Sequence, residues 1–126
     1  MKITELRIGN HVFDRRKNIV ILTTVLLCKL KLWNKTKYSK KPPCSAIPLT
    51  EERLLKVGFE NDIVCIGYEN PFGHPKLEGF FISNNKLYSI GYTDNHSYIA
   101  NVEYVHKLQN LYFALKDEEI DISDMI

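Results

Sequence analysis

Residues 79–92, GFFISNNKLYSIGY, indicate how the second half of the chain folds. Two runs of strand-forming residues flank Asn84 and Asn85, and asparagine tolerates a positive φ better than most residues. Two such residues between two strands predict a tight β-hairpin. After a further turn, residues 97–102 continue as a strand. The second half of the sequence therefore predicts an antiparallel meander.

Two helices are predicted from their capping residues and their periodicity. Thr50 is a good N-cap for a helix over residues 51–57, and Gly58 stands where a helix commonly ends. A second helix covers residues 104–115, where apolar residues recur at the helical period. Together with the meander, these helices predict an α+β fold. We expect a small, mostly antiparallel sheet packed against two helices, in a single domain of residues 1–126.

The first half is also predicted to contain strands. Residues 19–27 are rich in β-branched and aliphatic side chains and predict a buried strand. The alternation of apolar and polar residues then continues, so that Lys29, Lys31 and Trp33 fall on one face and Cys28 on the other. The sequence therefore predicts a strand that presents two lysines and a tryptophan together, with the thiol on the buried face.

The charges are divided unevenly along the chain. Residues 1–60 contain thirteen Lys and Arg against five acids, a net of +8, whereas residues 61–126 contain four Lys against ten acids, a net of −6. These halves sum to the formal charge of +2. No acid lies between Asp14 and Glu51. Such an asymmetry predicts an anionic partner for the first half.

Two charged segments have alternative interpretations. Residues 34–46 are lysine-rich and predicted to be a mobile loop, because they offer little apolar surface against the entropy cost of ordering. This loop is either a solvated segment that favours solubility or a phosphate-binding arm. Residues 117–126 form an acidic tail that is predicted to fray. The tail is either a solvated terminus or a mimic of nucleic acid.

As a phosphate-binding arm, the basic region would favour single-stranded RNA. Lysine contacts phosphate as a point charge, and an aromatic side chain stacks on an unpaired base with about 1–3 kcal/mol. If four lysines engaged phosphates, the slope of log K against log salt would be roughly −3. Basic residues of the first hairpin loop would extend the surface. The predicted nucleic-acid-binding residues are Lys29, Lys31, Trp33, Lys35, Lys37, Tyr38, Lys40, Lys41, Arg15, Arg16 and Lys17.

No catalytic or metal-binding motif is present in the sequence. The three cysteines, Cys28, Cys44 and Cys65, form no CxxC pair, and the four histidines show no short-range pair. The GxSxG, HExxH and P-loop patterns are absent as well. We therefore expect a non-enzymatic binding protein with no cofactor and no metal.

The sequence also predicts a cytoplasmic protein without membrane contact. Residues 1–10 lack the apolar segment of a secretory signal. The longest apolar run, residues 19–27, is about half the length that spans a bilayer.

Three segments of the chain resemble a known family. They are residues 6–14, which begin LRIGN, residues 47–60, IPLTEERLLKVGFE, and residues 104–115, YVHKLQNLYFAL. In this order and spacing they are similar to a widespread family of small proteins from phages, prophages and mobile elements of Bacteroidetes. The resemblance implies a genomic context and a fold. It implies no catalytic residues, because that family has no established general activity.

Residues 26–46, which carry the lysines, depart from the pattern of that family. A small phage-borne protein with a divergent charged insertion is similar to anti-defence inhibitors, including anti-CRISPR proteins. The resemblance thus implies, by analogy of context, an inhibitor of a type VI-B RNA-guided RNA nuclease in the cytoplasm of the bacterial host. Such an inhibitor would contact the guide RNA or its ribonucleoprotein. The alternative is a protein–protein adaptor without nucleic-acid contact, with Phe72, Phe80 or Tyr98 carrying the affinity.

Overall fold

The fold combines helices with two antiparallel sheets. The computed structural model describes residues 3–37, 40–61, 68, 70–91 and 96–125. Within these ranges there are three α-helices and eight strands in two sheets, which confirms the predicted α+β class. The sequence predicts one domain and gives no sign of a division, but the contacts divide the chain into two compact units. Unit 1 is Met1–Pro48 with Tyr104–Asn110, and unit 2 is Leu49–Glu103 with Leu111–Ile126.

Unit 1 contains a three-stranded antiparallel sheet. Its strands are β1 (His11–Asp14), β2 (Ile19–Ile21) and β3 (Cys44–Ser45), in the order β2-β1-β3. The hairpin of β1 and β2 lies where the sequence predicts it. Strand β3 pairs with the end of β1 and begins inside residues 34–46, so this part of the expected loop has regular structure.

The strand predicted over residues 19–27 is confirmed only at Ile19–Ile21, and its continuation to residue 33 is wrong, because Thr24–Thr36 forms helix α1. The hydroxyl of Thr23 caps the helix by accepting a hydrogen bond from Leu26 N at 3.2 Å. The helix ends at Lys37, whose φ is 50° and whose N–H donates to Trp33 O. Residues 34–36, which the sequence assigns to the mobile loop, are therefore the last turn of α1.

The helix forms because its apolar residues satisfy the helical period as well as the strand period. Positions i, i+1, i+4 and i+7 place one apolar side against the sheet. Leucine and lysine also favour helices, and lysine is depleted in strands. The core of unit 1 contains Val12, Leu22, Leu30 and Cys44, with Ile3, Leu6, Val20, Leu26, Leu27 and Trp33 packed against it. Cys28 is exposed, contrary to the prediction, because it lies on the other side of the helix.

Helix α3 (Val105–Lys116) confirms the predicted helix over residues 104–115. Its first half belongs to unit 1, where a buried polar network joins it to the N-terminal segment. Asn10 Nδ2 donates to Asn110 Oδ1 at 2.9 Å, and Arg7 Nε donates to the same oxygen at 3.0 Å. Gln109 Oε1 accepts from His11 N at 2.8 Å. These amide side chains fix the N-terminal segment on the helix.

Unit 2 contains a five-stranded antiparallel sheet in the order β4-β5-β6-β7-β8. The predicted hairpin is confirmed, with Asn84 at φ 51° and Asn85 at φ 61° in its turn. The sequence pattern also predicts a strand over residues 63–68, and this segment lies outside the described residues except for Tyr68. The strands are β4 (Glu60–Asn61), β5 (Phe72–Gly73), β6 (Phe80–Ser83), β7 (Lys86–Ile90) and β8 (His96–Asn101).

Helix α2 (Glu51–Lys56) confirms the predicted helix and both of its caps. The Thr50 hydroxyl accepts from Arg53 N at 3.2 Å. At the other end Gly58 has a φ of 98°, and Phe59 N donates to Leu54 O at 3.0 Å. This is a Schellman motif, in which the buried side chains of Phe59 and Leu54 add the usual apolar contact.

The acidic tail differs from the predicted frayed terminus at three positions. Ile120, Ile122 and Met125 are buried. Residues Ser123–Met125 form a short 3-10 helix that contacts α2. Alternating apolar residues within the acidic run therefore pack against unit 2, while the acidic side chains between them face solvent.

His74 is held beside the end of α2 in one neutral tautomer. Its Nε2–H donates to Val57 O at 3.1 Å, and its Nδ1 accepts from Lys76 N at 3.0 Å. The ring also packs edge-on against Phe59, with centroids 5.0 Å apart. Burial lowers the pKa of His74 below its ordinary value, although the bond to Val57 acts in the opposite direction. The folded protein therefore resists protonation of this ring.

We predict that the free energy of unfolding falls as the pH falls below about 6.5, the ordinary pKa of His74. Below that pH His74 takes up a proton in the unfolded chain but not in the folded chain. The stability that the neutral ring contributes is therefore complete above about pH 6.5 and is lost as the pH falls toward the pKa of His74 in the folded protein. His106 has a lowered pKa and acts in the same direction. Urea denaturation at several pH values measures the effect, and the H74Q variant should show a shallower decline. An equal decline in both proteins would contradict the assignment to His74.

Candidate nucleic-acid interface

The hairpin loop between β1 and β2 is ordered by its first residue. Asp14 Oδ1 accepts from Arg16 N at 2.8 Å and from Asn18 N at 2.9 Å. Lys17 has a φ of 64°, and its Nζ lies 5.4 Å from the centroid of the Phe13 ring. The hydrogen bonds of one carboxylate therefore give the predicted basic loop a defined conformation.

An open cleft in unit 1 brings three of the predicted residues together. Arg15 and Arg16 come from the hairpin loop and Lys29 from α1. The cleft encloses about 520 Å³ and is lined by Asp14, Arg15, Arg16, Asn18, Leu26, Lys29 and Pro43. Three cations against one carboxylate give this cleft a positive character that suits a phosphate.

The other lysines of α1 lie on a different side of the helix from Lys29. The prediction that Lys29 and Lys31 lie on one face is therefore wrong. At about 100° per residue, positions two apart lie about 200° apart around a helix. Lys31 and Lys35 are four residues apart and lie on one side of α1, about 40° apart. The basic residues of α1 therefore form two groups, one at the cleft and one away from it.

Trp33 packs against the core on one side and contacts Lys37 on another. It is half-buried and packs against the core of unit 1. The Nζ of Lys37 lies 3.7 Å from the centroid of its ring, a close cation–π contact that covers one face. Lys37 also donates to Asn34 Oδ1 at 3.3 Å. The predicted role of Trp33 as an open stacking surface is therefore wrong for that face of the ring.

The other predicted residues lie on the surface after α1. Lys40 and Lys41 are exposed, and Tyr38 lies outside the described residues. Within the described part of the chain, Lys29, Lys31 and Lys35 make no ion pair, so their charges are not neutralised by a nearby carboxylate. Lys29, Lys31 and Lys35 are therefore available to an anionic ligand.

The two compact units differ in net charge more than the two halves of the sequence do. Unit 1 contains twelve Lys and Arg against two acids, a net of +10, and unit 2 contains five against thirteen, a net of −8. Lys107 joins the basic set because α3 begins in unit 1. A polyanion is therefore attracted to unit 1 and repelled by unit 2.

The titratable groups buried in unit 1 are held neutral. Burial raises the pKa of the Cys44 thiol. Burial also lowers the pKa of His106, against the effect of Glu5, whose Oε2 lies 3.5 Å from His106 Nε2. His106 stacks on Tyr104 with ring centroids 5.5 Å apart. At neutral pH Cys44 therefore adds no negative charge to unit 1 and His106 adds no positive charge.

Sequence reasoning missed Asn18, Leu26 and Pro43 as lining residues of the cleft. Asn18 and Pro43 carry no charge pattern. Asn18 is placed by the β1–β2 hairpin, where Asp14 N donates to Asn18 O at 2.9 Å, and Pro43 is placed by the pairing of β3 with β1. Leu26 lines the cleft only because α1 is a helix. The capping Thr23 was the available signal, since it precedes an apolar pattern that also fits the helical period.

Neither a metal site nor a membrane-spanning helix is found in the described ranges. No group of three or more His, Cys, Asp or Glu side chains there could hold a metal ion. The helices of the described ranges are too short and too polar to cross a bilayer. Comparisons with known proteins gave no match to a protein-family model, to a curated protein or to a solved structure. The resemblance to the mobile-element family stays a prediction.

Proposed function

We propose that this chain is a non-enzymatic RNA-binding protein of a phage or prophage. Its role in this proposal is to inhibit an RNA-guided nuclease of the host. The observation that carries the RNA contact is the cleft in which Arg15, Arg16 and Lys29 converge. The nuclease target rests on the resemblance described above.

Electrostatics support a polyanionic ligand over a neutral one. The cleft lies in the unit of net charge +10, and Lys29 has no ion pair among the described residues. Arg16 and Lys29 together supply one planar, forked donor and one point charge, a combination that suits phosphate oxygens. A bound strand continues toward the exposed Lys40 and Lys41, which follow α1.

The RNA contact is tested by neutralising two cleft residues. We expect R16Q/K29Q to weaken binding to a labelled single-stranded RNA of about twenty nucleotides by roughly tenfold. The slope of log K against log salt should become less steep by about 1.4, because two phosphate contacts are lost. Fluorescence anisotropy over a range of salt concentrations measures both quantities.

The matched control is K86Q/K116Q, which removes the same charge from exposed positions of unit 2. This control should keep the affinity and the salt slope of the wild type. The same variants are then added to target-RNA cleavage by a type VI-B RNA-guided nuclease, where only the cleft variant should lose inhibition. Unchanged RNA affinity in the cleft variant would contradict the cleft, and absence of inhibition by the wild type would contradict the nuclease target.

One observation supports the alternative hypothesis of a protein–protein adaptor. Of its three candidate residues, Phe72 is buried, whereas Tyr98 is 55% exposed on β8. Its hydroxyl donates to Asn101 Oδ1 at 2.9 Å, and its ring lies 6.1 Å from that of Tyr88. If this surface carried the function, Y98A would abolish inhibition and the salt dependence would be nearly flat.

A further inference from the structure

We propose that the chain self-associates head to tail, with the outer face of α1 from one copy seated in a cleft with acidic edges on unit 2 of another. This inference is independent of the proposed RNA contact. It rests on two surfaces, and each is incomplete without a partner of the opposite charge.

The first surface is an apolar stripe on α1. Val25 is 65% exposed and Leu32 is 55% exposed, and Cys28 between them is exposed as well. These residues stand at positions i, i+3 and i+7, so they lie along one side of the helix. The side that packs into unit 1 is the opposite one, with Leu30 buried. An aligned set of exposed apolar residues on a helix indicates a contact surface.

Lysines border this stripe on both sides. Lys29 lies along one edge, and Lys31 and Lys35 lie along the other, from their positions around the helix. Phosphate binding explains the lysines but gives no role to Val25 and Leu32, since a phosphate backbone offers them no apolar surface. A protein groove with an apolar floor and acidic edges accounts for both kinds of residue.

The second surface is a cleft of unit 2 that has acidic edges and a mixed lining of polar and apolar residues. It encloses about 410 Å³ and includes Phe80, Ile90 and Leu77 among its apolar lining residues. Glu60 and Glu78 line it as well, and both side chains are exposed at its edge. No Lys or Arg of the described residues lines this cleft. Its electrostatic character is therefore the complement of the α1 stripe.

A second copy of this chain is the occupant that the charges favour. The stripe belongs to the unit of net charge +10 and the cleft to the unit of −8, so unlike units of two copies attract. Pairing of two α1 helices would bring Lys29, Lys31 and Lys35 against their own counterparts, which is repulsive. The contact is therefore heterologous, and association continues beyond a dimer unless the geometry closes a ring.

Charge reversal of each surface tests the pairing. Variant A carries K31E/K35E, which reverses the charge along one edge of the stripe. It leaves Arg16 and Lys29 of the RNA cleft unchanged. Variant B carries E60K/E78K, which reverses the unit 2 cleft. Sedimentation velocity from about 10 µM to about 1 mM, at low and high salt, measures association. Variant V25S/L32S removes the apolar contact without a change of charge.

We expect the wild type to exceed its monomer mass of 14.7 kDa as its concentration rises, and to return to it at high salt. Variants A, B and V25S/L32S should each remain monomeric. A mixture of A and B should associate in alternation, because the acidic stripe of A fits the basic cleft of B and the unchanged stripe of B fits the unchanged cleft of A. A monomeric wild type would assign the stripe to RNA or another partner and overturn the proposal. Failure of the mixture to associate would equally overturn the pairing of these two surfaces.

Discussion

Replacing Asn10 with alanine is expected to lower the free energy of unfolding by about 2–4 kcal/mol. The Asn10 side chain is fully buried. Its Oδ1 accepts from Arg7 N at 2.7 Å, and its Nδ2 donates to Asn110 Oδ1 at 2.9 Å. Alanine leaves the part-buried N–H of Arg7 without its acceptor and Asn110 Oδ1 without one of its donors. Because neither group gains water in exchange, the cost of desolvation is not repaid.

The matched control for this substitution is N34A. Asn34 is exposed on α1, and its side chain accepts only a 3.3 Å hydrogen bond from Lys37 Nζ in the described structure. Its replacement should change the free energy of unfolding by less than about 0.5 kcal/mol. Urea denaturation followed by circular dichroism measures both variants. A loss below that value in N10A would mean that the buried network contributes nothing to stability.

The same network explains what the motif-bearing segments do. Residues of the first and third segments meet in it, since Arg7 and Asn10 bond to Asn110. The second segment joins α3 through its backbone, where Val105 N donates to Ile47 O at 2.9 Å. These residues are buried or bonded within the fold and do not line the cationic cleft. Of the residues in these three segments only Asp14 lines that cleft, and none of its three cations belongs to them.

Elements with strong local signals could be predicted from the sequence alone. Helix α2 has a side-chain cap at Thr50 and a left-handed residue at Gly58, and both act over a few residues. The β6–β7 hairpin is specified by the Asn84–Asn85 turn in the same way. Helix α3 has a continuous apolar stripe over three turns. In each case the stabilising contacts lie within or next to the element.

Helix α1 could not be predicted because its apolar residues fit two periods. Leu26, Leu30 and Leu32 satisfy alternation, whereas Leu26, Leu30 and Trp33 satisfy the helical period. The choice depends on which side has a sheet to pack against, and that sheet includes β3. Strand β3 is two residues long and pairs only with the end of β1, a non-local contact that no sequence pattern marks. Tertiary packing therefore settles the local conformation here.

The formation of a helix instead of a strand also changes the arrangement of the candidate site. A strand would have placed Lys29, Lys31 and Trp33 together, and a helix separates them. Arg15 and Arg16, which the sequence suggested only as an extension of the surface, become the partners of Lys29 in the cleft. The net charge of the region was predictable because composition fixes it. Its arrangement was not, because a change of period moves every second side chain to another side.

Replacing Gly58 with alanine is expected to lower the free energy of unfolding by about 2–4 kcal/mol, for two separable reasons. The φ of 98° lies in the left-handed region, which costs an L-residue about 1–2 kcal/mol. A Cβ at this position would also lie 3.0 Å from His74 Nε2. The ring cannot move away cheaply, because its two nitrogens bond to Val57 O and Lys76 N. The added methyl group therefore strains the end of α2 as well as the backbone.

The variant G79A isolates the backbone contribution. Gly79 has a φ of 84°, but no atom lies within 4 Å of a Cβ built there. G79A should therefore lower the free energy of unfolding by only about 1–2 kcal/mol. This loss is smaller than that of G58A because the new methyl group meets no side chain. In the double variant G58A/H74A the methyl group no longer meets the ring, so its cost should be smaller than the sum of the two single costs. Two results would contradict the steric contribution: losses of unfolding free energy that add exactly in the double variant, or equal losses in G58A and G79A. Either result would mean that the His74 ring moves aside without strain.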